Sequence, residues 1–171
     1  MSGLELFFEG IKLTGLVVGF ALVIIRIRQT QTIFMADHDR RKKESTLNAY
    51  NTIRDSFRQL NNEICSALSI EKNQASPISK DILTRILSEP VHRDKVVTLL
   101  SYIQRFGVGV KHKIYDTEVL CDLSGSAFIN FYKRLSPYIE AARTENHLLY
   151  QEAESFITEL EQIREFKAEE S

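Results

Sequence analysis

The sequence has few of the residues that form turns or cross-link a fold. Its 171 residues include seven glycines, three prolines, two cysteines and no tryptophan. So few turn-forming residues argue against an all-β fold, which needs a turn after each short strand. Cys65 and Cys121 stand far apart with no Cys-x-x-Cys spacing. For a domain in the cytoplasm we therefore expect two reduced, buried thiols, with neither a disulfide nor a metal site.

The sequence also lacks the short motifs of common catalytic sites. It has no phosphate-binding GxxxxGK[ST] loop, no HExxH zinc motif and no GxSxG nucleophile turn. The formal net charge of −1 excludes a domain that attracts nucleic acid by its overall charge. No cofactor is implied, and a protein that is not an enzyme is favoured.

One long apolar run lies near the N-terminus, where Leu13–Ile25 is interrupted only by Thr14 and two glycines. A run of about 13 residues is short for a membrane span. Extending it back to Leu4 gives 22 residues, or about 33 Å of helix, which matches the hydrocarbon core of a bilayer. We therefore predict one transmembrane helix, with a buried or interfacial helix as the alternative.

The charges within this extended segment fall on one side of a helix. At 100° per residue, Glu5, Glu9 and Lys12 lie within an arc of roughly 60°. Such a stripe is typical of a spanning helix that faces a lumen or a partner helix, so we predict that these three residues line a pore. Gly15 and Gly19 form a GxxxG pair that would let helices pack closely. The alternative is that the first turns lie among lipid headgroups, with the charges reaching water.

The flanking charges predict an orientation. Arg26, Arg28 and the basic run Arg40–Lys43 follow the apolar segment, whereas the residues before it are acidic. The positive-inside rule then places the N-terminus outside and the rest in the cytoplasm of a bacterial inner-membrane protein. A cleaved signal peptide would have the opposite charge order. The run Arg40–Lys43 favours contact with anionic lipid over RNA phosphates. We predict a transmembrane helix over 1–28, a connector over 29–36 and a cytoplasmic helical domain over 37–171.

Apolar spacing in the cytoplasmic part predicts an all-α bundle of four or five helices. A first helix, capped by Asp37 or Asp39, runs to about Leu68, and the sequence leaves open whether it continues from Leu4 or breaks near 29–32. Its apolar stripe comprises Leu47, Tyr50, Ile53, Phe57, Leu60, Ile64 and Leu68.

The later helix boundaries follow from capping and breaking residues. Ser79 caps a short helix that stops before Pro90, and a third helix over 91–106 ends at the GVGV turn, Gly107–Val110. The remaining predictions are a helix capped by Asp116, a turn or helix starting at Pro137, and a last helix over 145–167. Residues 124–126 would either kink the helix capped by Asp116 or let another backbone approach it closely.

Arg143 and His147 are the best candidates for catalysis. They stand one turn apart near the predicted start of the last helix, where an arginine could bind a phosphodiester and a histidine could transfer a proton. The alternative, which the pattern favours, is an exposed pair at a helix N-terminus.

After the predicted span come an entry helix, DRRKKESTLNAYNTIRDSFRQLN, and the stretches GVGVKHKIYDTEVL and FYKRLSPYIEAAR. This combination resembles a family of small bacterial membrane proteins whose domain has no assigned function. The resemblance covers about residues 39–166 and implies a single span followed by a helical domain. Its most diagnostic residues are Gly109, Val110, Ile114, Tyr115 and Asp116, and then Pro137–Glu140 with Arg143.

The layout also resembles the small membrane accessory proteins of type VI-B CRISPR loci, which have one span and a divergent HEPN-like helical domain. That resemblance implies a ring-shaped membrane pore that strengthens anti-phage defence. HEPN ribonucleases have four to six residues between their arginine and histidine, whereas Arg143 and His147 have three. The resemblance therefore favours an assembly scaffold over a ribonuclease.

Three functions follow as expectations. The first is a homo-oligomeric ring in which Gly15 and Gly19 pack the spans together, and which depolarises the membrane during defence. The second is a non-catalytic, membrane-anchored adaptor for a soluble partner, such as a CRISPR or other defence effector. The third is a membrane-tethered ribonuclease that uses Arg143 and His147; whether RNA is a partner stays open.

Overall fold

The regular secondary structure in the described part of the chain is all α-helix, as the sequence predicts. The computed structural model describes the backbone of residues 3–71 and 74–170, and the side chains in these ranges except those of residues 3–17 and 21. These residues form six helices and no strand. The helices are α1 (Gly3–Leu68), α2 (Lys80–Ser88), α3 (Pro90–Lys111), α4 (Thr117–Arg134), α5 (Ser136–Arg143) and α6 (Gln151–Glu169).

The chain divides into two compact units, residues 1–41 and residues 42–171. The first unit is the N-terminal part of α1. Within it, Thr30 and Thr32 donate hydrogen bonds to the carbonyl oxygens of Arg26 and Arg28, as threonines inside a regular helix do. The second unit contains the rest of α1 and all the other helices.

The second unit has one apolar core. Helices α3 and α4 both pack against α6. Most of the predicted α1 stripe is buried there, although Leu47 is 43% exposed. Aromatic rings fill the centre, with centroid separations from 5.3 Å for Phe57 and Phe128 to 6.4 Å for Phe106 and Phe156. Such edge-to-face and tilted pairs are favourable beyond the area that they bury.

Several predicted helix ends are confirmed. The hydroxyl of Ser79 accepts a hydrogen bond from the Ile82 amide at 3.4 Å, and α2 ends at Ser88. The carboxylate of Asp116 accepts one from the Val119 amide at 3.2 Å, which caps α4. Each bond satisfies an amide that the first turn of a helix leaves without a partner.

The predicted cap at Asp37 or Asp39 is wrong, because α1 continues through both residues. The carboxylate of Asp37 instead accepts hydrogen bonds from Arg40 at 3.1 Å and Arg41 at 2.7 Å. These bonds lower the pKa of Asp37. Side chains three and four residues apart are neighbours on a helix, so the same acid that would cap a new helix also stabilises an uninterrupted one.

The predicted break at Gly107–Val110 is also wrong, because α3 runs on to Lys111. Gly107 and Gly109 are buried inside this helix. A β carbon on Gly107 would overlap the main-chain carbonyl of Glu152 at the start of α6. The glycines therefore permit close packing, which outweighs their cost of roughly 1 kcal/mol each in a helix interior.

Helix α4 bends where the sequence predicts, at Ser124, whose backbone leaves helical geometry at φ −159° and ψ 22°. Leu123, one residue before this kink, is 37% exposed.

The predicted start of the last helix at Glu145 is wrong. Residues 144–150 form turns, and α6 begins at Gln151. The side chain of Asn146 accepts a hydrogen bond from the Leu148 amide at 3.1 Å, and Tyr150 has a left-handed backbone with φ 59°. Asparagine side chains compete with helices in this way.

Candidate functional site

The predicted pore-lining residues Glu5, Glu9 and Lys12 lie outside the residues whose side chains are described, as does Gly15. Gly19 is described and exposed, and a β carbon there would meet no described atom within 4 Å. The charged lumen and the glycine packing pair therefore stay predictions.

The described apolar part of α1 is exposed on every side. Residues with side chains at least 43% exposed follow one another along the helix; they are Val18, Phe20, Leu22, Val23, Ile24, Ile25 and Ile27. Since successive residues are 100° apart, this set covers the whole circumference. Among the described residues, α1 is the one helix long and apolar enough to cross a membrane, and none of its apolar window is buried.

The structure gives Arg143 a structural role. It ends α5, and its guanidinium donates hydrogen bonds to the Leu149 carbonyl at 2.9 Å and the Glu154 carboxylate at 2.7 Å. The bond to Glu154 raises the pKa of Arg143. His147 is exposed in the turns between α5 and α6. The predicted arrangement on one face of one helix is therefore absent, and the arginine instead closes the turn that contains the histidine.

The family-motif residues connect α3, α4 and α1. The ring of Tyr115 lies against Gly109 in α3, and a β carbon on Gly109 would overlap this ring. The hydroxyl of Thr46 in α1 accepts a hydrogen bond from the Asp116 amide at 2.8 Å and donates one to the Lys42 carbonyl at 2.7 Å. Pro137 stands in the first turn of α5, where its missing amide hydrogen costs nothing. These residues shape the fold.

A groove lies between α1 and α4, where the kink at Ser124 alters the path of α4. Its cavity volume is about 450 Å³, within the range of small-molecule sites. Residues between 50 and 62 on one face of α1 form one wall, and residues of α4 from the kink at Ser124 onward form the other. The lining residues are Tyr50, Ile53, Arg54, Phe57, Arg58, Asn61, Asn62, Ser124, Ser126, Ala127, Phe128, Asn130 and Arg134.

The groove is positively charged within a chain of net charge −1. Three arginines line it, and none of the described lining residues is an aspartate or glutamate. Arg54 and Arg58 are exposed and stand one turn apart on α1. Arg54 has an exposed partner, Asp55, at 3.1 Å, whereas Arg58 makes no hydrogen bond or ion pair with any other described residue. Like charges held together in a cleft favour an anionic ligand.

Arg134 closes one end of the groove and is only 3% exposed. Its guanidinium donates hydrogen bonds to Asn61 Oδ1 and to the Glu71 carbonyl, each at 3.0 Å, and lies 3.5 Å from Cys65 Sγ. Burial lowers the pKa of Arg134. The guanidinium therefore joins α4 to α1 and to the loop after α1.

The kink itself is held by a hydrogen bond across the groove, because Tyr50 Oη and Ser124 Oγ are 2.6 Å apart. The sequence marked the Ser124–Ser126 kink but neither this bond nor the groove. Arg134 and Thr46 were missed as well. Both are buried polar residues in otherwise apolar helix faces, a signal that becomes interpretable only when their partners are known.

The described thiols and acids offer no metal site. Cys65 and Cys121 are free, with Cys65 buried and Cys121 partly exposed. Burial raises the pKa of Cys121. Within the described ranges, no group of three or more histidine, cysteine or acidic residues is placed to bind a metal ion.

Comparison with known families identifies the chain at the level of its family. The family described as a domain of unknown function, DUF4760, matches residues 11–160. Since this match covers most of the chain, the protein belongs to that family. No curated protein and no solved structure matches it.

Proposed function

We propose that this protein is a membrane-anchored, non-catalytic binding module, or adaptor, whose helical domain works in the cytoplasm. The observation that carries the proposal is that the described apolar side chains of α1 between Val18 and Ile27 are exposed on every side of the helix. A helix that is apolar all round is stable only inside a large core or a bilayer. None of this window is buried against the chain, which supports the bilayer.

The charge distribution supports the orientation. Arg26 and Arg28 end the apolar segment, and the basic run Arg40–Lys43 begins twelve residues after Arg28. Under the positive-inside rule these residues are retained in the cytoplasm, together with the domain that follows them. The N-terminus then lies on the opposite side of the membrane, outside the cytoplasm.

The proposal of a binding role follows from what the domain offers. Arg143, the arginine of the catalytic alternative, is bonded to Leu149 and Glu154. The groove between α1 and α4 instead presents exposed arginines and hydrogen-bonding groups around an apolar floor. Such a surface recognises a partner or ligand, and the membrane anchor would hold that partner at the inner face.

The first experiment measures the topology of the full chain in a bacterial membrane. A reporter that is active only outside the cytoplasm is fused to each terminus in turn, and its activity is measured in cells. Membranes from the same cells are then extracted with alkali, which releases proteins that do not span the bilayer. We expect the chain to resist extraction, with activity at the N-terminus alone. A chain released by alkali would contradict the anchor, and activity at the C-terminus would contradict the orientation.

A pore is the second candidate, favoured by the stripe of Glu5, Glu9 and Lys12 within the apolar segment. In this proposal several copies form a ring, with a divergent HEPN-like domain as scaffold, and depolarise the membrane during anti-phage defence. The wholly apolar stretch after Val18 would then be its dry constriction.

Reconstitution in liposomes separates the two candidates. The adaptor proposal expects no ion leak from the full chain. It also expects that a chain in which an unrelated apolar helix replaces Leu13–Ile25 still binds its partner at the membrane. The pore proposal expects leak, ring-shaped particles in the electron microscope, and loss of leak in the variant Glu9→Leu with Lys12→Leu.

A further inference from the structure

We propose that the groove between α1 and α4 is a binding site for a nucleotide, with Arg54 and Arg58 holding the phosphates. The inference goes beyond the anchored binding module, because it names the chemical class of one ligand. It concerns residues of the helical domain alone. The nucleotide site can therefore be disproved without affecting the membrane anchor, and the anchor can be disproved without affecting the site.

The two arginines supply the phosphate contacts. They are exposed and lie one turn apart on the same face of α1. Because α1 also contributes to the apolar core, the helix fixes the positions of the two arginines relative to each other. Guanidinium groups bind phosphate oxygens through paired hydrogen bonds, and two of them one turn apart suit a diphosphate or triphosphate. Arg58 has no competing partner among the described residues, and the pair of Arg54 with Asp55 is exposed and therefore weak.

Arg134 strengthens the field at the end of the groove. It is buried, and it hydrogen-bonds to Asn61, the next turn of α1 after Arg58. A buried positive charge is poorly screened by solvent, so it acts on an anion in the groove more strongly than an exposed one would. We assign it a positioning role, since its hydrogen bonds to Asn61 and Glu71 hold α4 against α1 and the loop after α1.

The rest of the lining favours a nucleoside over a bare anion. Ile53, Phe57 and the exposed Ala127 give an apolar floor and wall against which a base can lie. Asn62 and Ser126 have hydrogen-bonding groups that no described residue uses. Amides and hydroxyls beside an apolar surface match the polar edge and flat face of a base, whereas inorganic phosphate needs neither.

The size of the groove agrees with this class of ligand. Tyr50 and Asn62 mark its ends along α1, and the twelve residue steps between them span about 18 Å of helix. With a cavity volume of about 450 Å³, the groove holds an extended small molecule.

The test measures binding to the full chain purified in detergent, by isothermal titration calorimetry at low and at physiological salt. The probes are ATP, GTP, CTP and UTP with their diphosphates and monophosphates, and pyrophosphate and ribose 5-phosphate serve as comparison ligands. We expect at least one nucleotide to bind ten times or more tighter than pyrophosphate, with weaker binding as salt rises.

Two variants locate the site. Arg54→Gln with Arg58→Gln removes the phosphate contacts, and Ala127→Trp fills the groove without changing charge. We expect each to weaken nucleotide binding at least tenfold. The matched control is Arg93→Gln with Arg164→Gln, which removes two exposed arginines outside the groove and should leave affinity within twofold. Circular dichroism and thermal unfolding confirm that each variant is folded.

Four results would overturn the inference. They are no nucleotide binding by the folded chain, binding that survives both groove variants, equal affinity for pyrophosphate, and occupation of the groove by an acidic helical peptide in place of any nucleotide. Membrane localisation changes none of these measurements, so the result is independent of the anchor.

Discussion

The aromatic ring of Tyr115 lies against the α carbon of Gly109, so closely that a β carbon at residue 109 would overlap Cδ2 and Cε2 of the ring. The contact joins the last turn of α3 to Tyr115, which immediately precedes Asp116, the N-cap residue of α4. It also places Tyr115 edge-on to Phe106, with 5.7 Å between ring centroids. A motif that spans eight residues of sequence, from Gly109 to Asp116, thus fixes how two helices meet.

We predict that Gly109→Ala destabilises the domain, because the new methyl group displaces the Tyr115 ring. Overpacking of this kind costs about 1 to 3 kcal/mol in free energy of unfolding. Chemical denaturation checks the value. In a Tyr115→Ala background, where the ring is gone, the same glycine substitution should cost much less. An equal cost in both backgrounds would show that the ring is not the obstacle.

Arg134→Met should lower the free energy of unfolding by about 2 to 4 kcal/mol, since it removes the buried guanidinium that donates hydrogen bonds to Asn61 Oδ1 and to the Glu71 carbonyl. Lys133→Met is the matched control. The neighbouring lysine is exposed and pairs with Glu161, so its loss should cost less than about 1 kcal/mol. Similar costs for both variants would contradict a structural role for Arg134.

Arg143→Ala and His147→Ala should differ in stability. Loss of Arg143 removes hydrogen bonds to Leu149 and Glu154 and should cost about 1 to 2 kcal/mol. Loss of the exposed His147 should change stability by no more than about 0.5 kcal/mol. Denaturation is measured alongside cleavage of a labelled single-stranded RNA. Cleavage abolished equally by the two variants, with stability unchanged, would instead support the ribonuclease.

Stability should fall in alkaline solution between about pH 10 and pH 12. Burial raises the pKa of Tyr132 and that of Tyr150 from 10.0 to about 12, so the fold favours the neutral phenol. This contribution is complete below the unfolded pKa and is lost as pH rises through the folded one. Each tyrosine accounts for about 2 to 3 kcal/mol at most.

Tyr150→Phe tests this origin, because phenylalanine keeps the ring and cannot ionise. The variant should lose less stability than the parent chain over the same pH interval, measured by urea denaturation at fixed ionic strength. Identical pH profiles would place the alkaline loss in other groups.

The sequence alone determined the all-helical class, most of the buried stripe of α1, the caps at Ser79 and Asp116, the kink near Ser124 and the start of α5 beside Pro137. It also indicated the apolar N-terminal helix, which is long enough to cross a membrane. These features depend on interactions between residues close together in the chain, namely apolar spacing, capping hydrogen bonds and the fixed geometry of proline. The local sequence therefore predicts them.

Only the tertiary structure decided the rest. Gly107 and Gly109 look like a helix break locally, but Glu152 and Tyr115 pack against them and make a continuous helix favourable. Arg143 was expected beside His147, but Glu154 and Leu149 hold it elsewhere. The arginine groove needs α1 and α4, which are about 70 residues apart in the chain. Long-range contacts of this kind are set by the packing of whole helices, so no local pattern predicts them.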